Sequence, residues 1–358
     1  MKIPFRGKFP PFAELVSLGS NFFLRSILSI VMLSAFLKLC AMDKLWLVLL
    51  SFILTFGISF ELISITKKKS ENYVLSPLLI ATIYLAIFFF NTLPALVMVY
   101  PEKKILSRLN SFKPLVFALY SIGLMLSVIS FTRELLVPQL LLLAMTHIAV
   151  SVCSLACALS IKNIIHGKFF YVYPALLVIM NDIFAYLIGK SFGRTPLISL
   201  SPNKTVEGLV GGFIFTFITG MVLSFLKIKG LFLSDMMDGK LSEPLNSSRW
   251  YLKFPCVYFH NLLFVMAASF FAPFCGFLAS AIKRAFGKKD FGALIPGHGG
   301  ITDRFDCQVL MVFFTYYYLK GVMDFENSTI TIAYNYLIDN LKDKEIQKLS
   351  EILRRNVH

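Results

Sequence analysis

The chain has 358 residues, of which 57% are hydrophobic and only 15% charged, and its formal net charge is +15. A soluble domain is roughly half apolar and a quarter charged, so this composition excludes a soluble globular protein and indicates a polytopic membrane protein. The cations are scattered through short connections, which argues against nucleic acid as a partner and favours the lipid bilayer and an anionic substrate.

Nine apolar runs are predicted to be membrane-spanning helices, because a crossing needs about 20 mostly apolar residues. In chain order they cover about 26–40, 46–64, 75–99, 114–131, 138–159, 169–188, 209–226, 259–281 and 309–319. The expected fold class is therefore all-α. We expect a cytosolic N-terminal tail (1–25) without a signal peptide, N-terminal transmembrane helices (26–160), a catalytic transmembrane region (161–322) and a C-terminal tail (323–358).

Two polar connections in the second half, residues 189–208 and 280–306, are predicted to lie on one face of the membrane, because two crossings separate them. Counting from a cytosolic N-terminus places that face in the cytosol, together with the triple lysine 67–69, as the positive-inside tendency prefers. The active site is thus expected in cytosolic loops and helix ends of the C-terminal half. Sequons at Asn246 and Asn327 fall on the lumenal side, whereas the sequon at Asn203 is cytosolic and is expected to stay unmodified.

Four aspartates are candidate metal ligands. Asp303 and Asp306 are three residues apart at the start of the ninth helix, so they share a helix face. Asp290 precedes them in the same connection, and Asp182 lies within the sixth apolar run, where an ionisable residue is costly. Magnesium prefers carboxylate and phosphate oxygens, so these residues predict a site for one or two Mg2+ ions. The alternative for each aspartate is an ion pair with a neighbouring Lys or Arg.

Cationic side chains in the same stretches are candidate phosphate ligands, since Arg suits bidentate contacts and Lys point-charge neutralisation. They are Lys204, Lys283, Arg284, Lys289 and Arg304. Ordinary loop charge is the alternative, and we prefer it for Lys288. Gly299 and Gly300 would let the backbone approach a phosphate, and His298 between glycines is a candidate to orient a phosphate or a bound water.

Two stretches resemble one known family. Residues 280–306 read S-x-x-K-R-x-x-x-x-K-D and then P-G-H-G-G-x-x-D-R-x-D, within a loop of 280–308, which resembles the signature of the CDP-diacylglycerol synthases, or phosphatidate cytidylyltransferases. Residues 181–212 are similar to the same family in their acidic intramembrane motif and in S-P-x-K-T-x-E-G, although Val206 stands where that family usually has Trp. The resemblance covers about 163–311 and is closest to the eukaryotic members.

The resemblance implies an enzyme of the endoplasmic reticulum membrane that transfers the cytidylyl group of CTP to phosphatidic acid for phospholipid synthesis. It also implies Mg2+ as cofactor and is compatible with a homodimer. Two alternatives stay open, namely a CTP-dependent lipid kinase and a transporter of a phosphorylated solute. The implied catalytic residues are Lys283, Arg284, Lys289, His298 and Arg304; the substrate-binding residues are Ser201, Lys204, Thr205, Glu207, Ser280, Gly299 and Gly300; the metal ligands are Asp182, Asp290, Asp303 and Asp306.

Overall fold

The computed structural model describes residues 31–68, 77–99, 111–198, 201, 204–229, 231, 256–292 and 299–322. Within these ranges the chain is helical apart from turns, short irregular segments and isolated bridge residues, among them the antiparallel pair Pro196 and Thr205. The predicted all-α fold class is therefore confirmed for the described part of the chain.

The described helices overlap the predicted apolar runs, but their bounds differ, and the helix over the ninth run is not among the candidate membrane spans. The helices are α1 (Val31–Ala41), α2 (Lys44–Lys68), α3 (Pro77–Val99), α4 (Lys113–Ile129), α5 (Leu136–His166), α6 (Phe169–Phe192), α7 (Val206–Ile228), α8 (Cys256–Met266), α9 (Ala272–Ala285) and α10 (Thr302–Val322). A turn of 3-10 helix, Arg133–Leu135, precedes α5. A π-helical segment, Ala267–Phe271, joins α8 to α9, so the eighth predicted run is one continuous helical stretch with an internal irregularity.

Six helices in the described ranges are long and apolar enough to cross a membrane. They are Lys44–Thr66, Leu79–Val99, Arg133–His166, Phe169–Phe192, Val206–Ile228 and Tyr258–Ala285. The helices α1 and α4 are apolar but shorter. The chain is thus a multi-pass membrane protein, while the count of nine crossings and the cytosolic orientation stay predictions.

The N-terminal helices share one apolar core. The helices α2 and α3 both pack on α5, and α4 packs on α3. Phe88 is fully buried at the centre, and its ring meets Phe52 and Phe56 of α2 edge-on, at centroid distances of 5.1 and 5.4 Å. This packing holds α2 in place, and α2 in turn reaches the charged loop before α10.

The helices α6 and α7 pack closely through small residues on α7. A β-carbon at Gly208 would lie 2.7 Å from the carbonyl oxygen of Ala185, and one at Gly212 would lie 3.0 Å from Asn181 Oδ1. Small residues at this four-residue spacing let the backbones of two membrane helices approach. The contact brings α6, which carries Asp182, beside the start of α7 and the loop before it.

The chain divides into two compact units, residues 1–313 and 314–358. Every described residue of the candidate site lies in the first unit. Of the second unit the structure describes 314–322, the last turns of α10, where the rings of Phe314 and Tyr318 stack at 5.6 Å.

Candidate active site

The connection between α6 and α7 folds back on itself and orients Lys204. The amide of Leu197 donates to the carbonyl oxygen of Lys204 at 2.8 Å, and the amide of Val206 donates to that of Thr195 at 2.9 Å. Thr205 has extended backbone angles, and its hydroxyl oxygen accepts from the amide of Gly208 at 3.1 Å, so Thr205 is the N-cap of α7.

Glu207 braces the same connection. Its carboxylate accepts hydrogen bonds from the amides of Arg194 and Thr195 at 3.1 and 3.2 Å and from the Thr195 hydroxyl at 2.9 Å. Thr205 and Glu207 were predicted to bind substrate, and in this structure their hydrogen bonds shape the loop that presents Lys204. Their role as substrate ligands stays a prediction.

Lys204, Asp306 and Asp182 form one cluster, called here the Asp182 cluster, beside Gly276 of α9. A β-carbon at Gly276 would lie 3.5 Å from Asp306 Oδ2 and 3.6 Å from Lys204 Nζ. Asp182 interacts electrostatically with Lys204 and with Asp306. Because Gly276 has no side chain, Lys204 and Asp306 have room at this point beside α9.

A second cluster surrounds Asp303. Lys283 Nζ lies 2.7 Å from Asp303 Oδ1, and both side chains are largely buried, at 15% and 7% exposure. The other oxygen, Oδ2, accepts from the amides of Phe291 and Gly300 at 2.9 and 3.0 Å. Three donors therefore hold the Asp303 carboxylate, so its contacts fix the loop before α10 to the end of α9.

Asp290 lies on the edge of this second cluster. Gly299 has a φ of +87°, and a β-carbon there would lie 3.1 Å from Asp303 Oδ2 and 3.5 Å from Asp290 Oδ1. The position favours glycine both by its left-handed backbone and by its crowding. Gly299 thus allows Asp290 and Asp303 to approach each other.

Glu61 of α2 also belongs to this region, and the sequence analysis missed it. Its two carboxylate oxygens accept from the amides of Ile301 and Thr302 at 2.9 and 2.8 Å. The available signal was the one that singled out Asp182, an acidic residue within an otherwise apolar spanning run. Glu61 lies 240 residues before its partner Ile301, so local sequence contains no sign of the pairing.

The remaining predicted residues have separate environments. The Ser280 hydroxyl donates to the Gly276 carbonyl oxygen at 2.8 Å within α9, and Ser201 donates and accepts backbone bonds in the turn before Lys204. Arg284 in the last turn of α9 and Lys289 in the connection after it are exposed. Arg304 is exposed and interacts electrostatically with Asp182. His298 and the sequons at Asn203, Asn246 and Asn327 lie outside the described residues.

The carboxylates are suited to a metal that arrives with a phosphate. Among the described residues, no three His, Cys, Asp or Glu side chains converge on one point. They approach in pairs instead, Asp182 with Asp306 and Asp290 with Asp303. Magnesium is usually held by one or two carboxylates together with substrate phosphates and water, so either pair fits Mg2+. The Asp182 pair fits better, because one oxygen of Asp306 accepts from the Cys307 amide while the other faces Lys204 and Gly276.

Apolar helices with paired carboxylates and cations at their ends define a class of membrane enzymes that act on phosphorylated substrates. The chain belongs to the cytidylyltransferase family, whose model matches residues 23–322. It is 38% identical over 341 residues to the phosphatidate cytidylyltransferase of Encephalitozoon cuniculi, covering 94% of this chain and 87% of that protein. It is 33% identical to the phosphatidate cytidylyltransferase of Saccharomyces cerevisiae, over 94% and 80% of the two chains. Phosphatidate cytidylyltransferase 1 of Homo sapiens is 32% identical, over 86% and 73%.

Proposed function

We propose that this chain is a nucleotidyltransferase that moves the cytidylyl group of CTP to phosphatidate, giving CDP-diacylglycerol and pyrophosphate for phospholipid synthesis. Relatives named phosphatidate cytidylyltransferase match it at 32 to 38% identity over most of its length. The structural observation that best supports the proposal is the Asp182 cluster, where a lysine and two carboxylates from separate parts of the chain meet.

The chemistry of the transfer explains why such a site contains many charged side chains and needs no general base. The phosphatidate oxygen attacks the α-phosphorus of CTP in line, the bond between the α-phosphorus and the bridging oxygen breaks, and pyrophosphate leaves. A phosphate monoester already carries about −1.5 to −2 charges at neutral pH, so its oxygen needs no general base. The barrier is largely the repulsion between two polyanions, and oppositely charged groups held in place lower it.

Each cluster has a distinct role in this proposal. Asp182 and Asp306 would hold Mg2+, and the bound ion would supply positive charge to offset the charge that develops around the α-phosphorus. Lys204, which lies near Asp306 beside Gly276 and interacts electrostatically with Asp182, neutralises a phosphate of the bound substrates. The contacts of Asp303 favour an orienting role, in which Lys283 and two backbone amides hold it so that α10 presents Asp306 correctly.

The exposure of three cations supports contacts with a soluble nucleotide. Arg284, Lys289 and Arg304 bind CTP phosphates from the aqueous side, and phosphatidate enters from the bilayer. We place the site on the cytosolic face of the endoplasmic reticulum membrane, with a homodimer as the assembly. The multi-pass helices support the membrane location, and the triple lysine at 67–69 of the sequence supports this orientation.

Labelled CTP distinguishes this function from the alternatives. Purified protein in detergent is supplied with Mg2+, CTP labelled at the α- or the γ-phosphate, and either phosphatidate or a lipid alcohol such as diacylglycerol. Cytidylyl transfer puts the α-label into lipid and releases the γ-label as pyrophosphate. Entry of γ-label into a lipid alcohol would indicate the kinase instead. Neither label would enter lipid if the chain were a transporter, which the relatives do not favour.

A further inference from the structure

Glu61 joins the N-terminal helices to the start of α10. It lies in α2, is buried at 8% exposure, and accepts from the amides of Ile301 and Thr302 with its two separate oxygens. The first amides of a helix have no acceptor within that helix, and a carboxylate is favoured there by the helix dipole. The N-terminus of α10 is thus capped by a side chain from a helix that precedes it by more than 200 residues.

The loop before α10 is shaped around this carboxylate. A β-carbon at Gly300 would lie 2.6 Å from Glu61 Oε2, and one at Gly292 would lie 2.8 Å from Oε1. Any side chain at either position would collide with the carboxylate. The two glycines therefore provide the space in which Glu61 reaches the backbone of α10.

An apolar contact next to Glu61 holds α2 against the same loop. Ile65, one helical turn after Glu61, is buried with Ala279 of α9 and Phe291 of the loop. The Phe291 amide in turn donates to Asp303. Glu61 and Asp303 therefore hold the loop from its two sides, one from α2 and the other from α10.

We propose that Glu61 is a positioning residue for Asp303 and Asp306, so that the N-terminal helices form part of the catalytic unit. This inference rests on the proposed function, in which those two carboxylates serve the transfer. Glu61 fixes the amides of Ile301 and Thr302. The following turns of α10 then carry both aspartates to their places beside Lys283 and Lys204.

The test compares Glu61→Ala and Glu61→Gln with Ser59→Ala, all in the full chain in detergent. Ser59 is a matched control because it is also buried in α2, but its hydroxyl bonds to the Thr55 and Phe56 carbonyls and to Tyr84. Hydrogen exchange by mass spectrometry follows peptides that cover 299–306. Loss of the cap should speed exchange at Ile301 and Thr302 by about tenfold, since a net hydrogen bond contributes roughly that factor.

Kinetics provide the second readout. Glu61→Ala should lower kcat by about 100-fold, the loss that a misplacement of about 1 Å produces. It should also raise the Mg2+ concentration for half-maximal rate by roughly 10 to 100-fold, as for residues that orient metal ligands. Glu61→Gln keeps one acceptor oxygen and should fall between Glu61→Ala and wild type, whereas Ser59→Ala should match wild type in exchange and in Mg2+ dependence.

Three results would overturn the proposal. Glu61→Ala could leave exchange unchanged, or it could speed exchange while kcat and the Mg2+ dependence stay at wild-type values. Ser59→Ala could also change exchange and kinetics as much as Glu61→Ala does. Should Glu61→Ala fail to fold, Gly300→Ala provides a second variant, because its methyl group moves the Glu61 carboxylate without removing it. Gly321→Ala is the control, because a β-carbon at Gly321 meets no atom within 4 Å. Gly300→Ala should reproduce the faster exchange, and equal behaviour of the two glycine variants would contradict the inference. If wild type transfers no cytidylyl group, the proposed function fails, while the exchange comparison still decides whether Glu61 caps α10.

Discussion

Replacing Lys283 by Met should destabilise the protein as well as inactivate it, because Lys283 supports a buried carboxylate. Its ammonium lies 2.7 Å from Asp303 Oδ1, and Asp303 is only 7% exposed. Removing one partner of a buried ion pair costs about 3–5 kcal/mol, and one hydrogen bond to a charged group contributes about 1.5–3 kcal/mol. Since Oδ2 keeps its two backbone amides, we expect Lys283→Met to lower the free energy of unfolding by roughly 2–3 kcal/mol, within the range for one hydrogen bond to a charged group.

The measurement is a double-mutant cycle with Lys283→Met, Asp303→Asn and the combined variant. Denaturant titration in detergent micelles gives the free energy of unfolding of each protein. The pair should show a coupling of at least about 1 kcal/mol, as residues in direct contact do. Lys288→Met, an exposed neighbour, should change stability by less than about 0.5 kcal/mol. A coupling below that same value of about 0.5 kcal/mol would contradict the orienting role of Asp303.

Lys204→Met should lower kcat/KM for CTP by about 100-fold or more, because removing a group that stabilises transition-state charge usually costs that much. Lys190→Met, at an exposed lysine, is the control. Equal losses in these two variants would argue against a specific site at Lys204. Thr205→Ala removes the N-cap of α7 and should lower the free energy of unfolding, measured by denaturant titration, by about 1 kcal/mol. An unchanged free energy of unfolding would contradict the capping role of Thr205. Chelation with EDTA should abolish transfer and added Mg2+ should restore it; transfer that persists in EDTA would contradict the Mg2+ proposal.

The helices could be predicted because apolar runs of membrane length are visible in the sequence. The connection 280–306 was recognisable by its dense charge, and the S-P-x-K-T-x-E-G loop by its resemblance to the family. Sequence reasoning placed Asp182, Lys204 and Asp306 in one site, and the structure brings these three residues together. Their roles in metal and phosphate binding remain predictions.

Hydrogen bonds between distant parts of the chain could not be predicted in this way. The pairing of Glu61 with the amides before α10 depends on how α2 packs, and periodicity carries no information about it. The three donors around Asp303 are likewise a property of the folded loop. The π-helical segment Ala267–Phe271 was missed as well, although Pro273, two residues after it, has no amide hydrogen to donate and thus signals an irregular helix.

The most direct test of the central claim compares wild type with Asp306→Asn in cytidylyl transfer. Both proteins receive phosphatidate, Mg2+ and α-labelled CTP, and circular dichroism and gel filtration verify that the variant is folded. The proposed site predicts label in lipid with wild type and a loss of nearly all label with the variant. Transfer by Asp306→Asn at the wild-type rate would contradict it, because the carboxylate beside Lys204 would then have no part in the reaction.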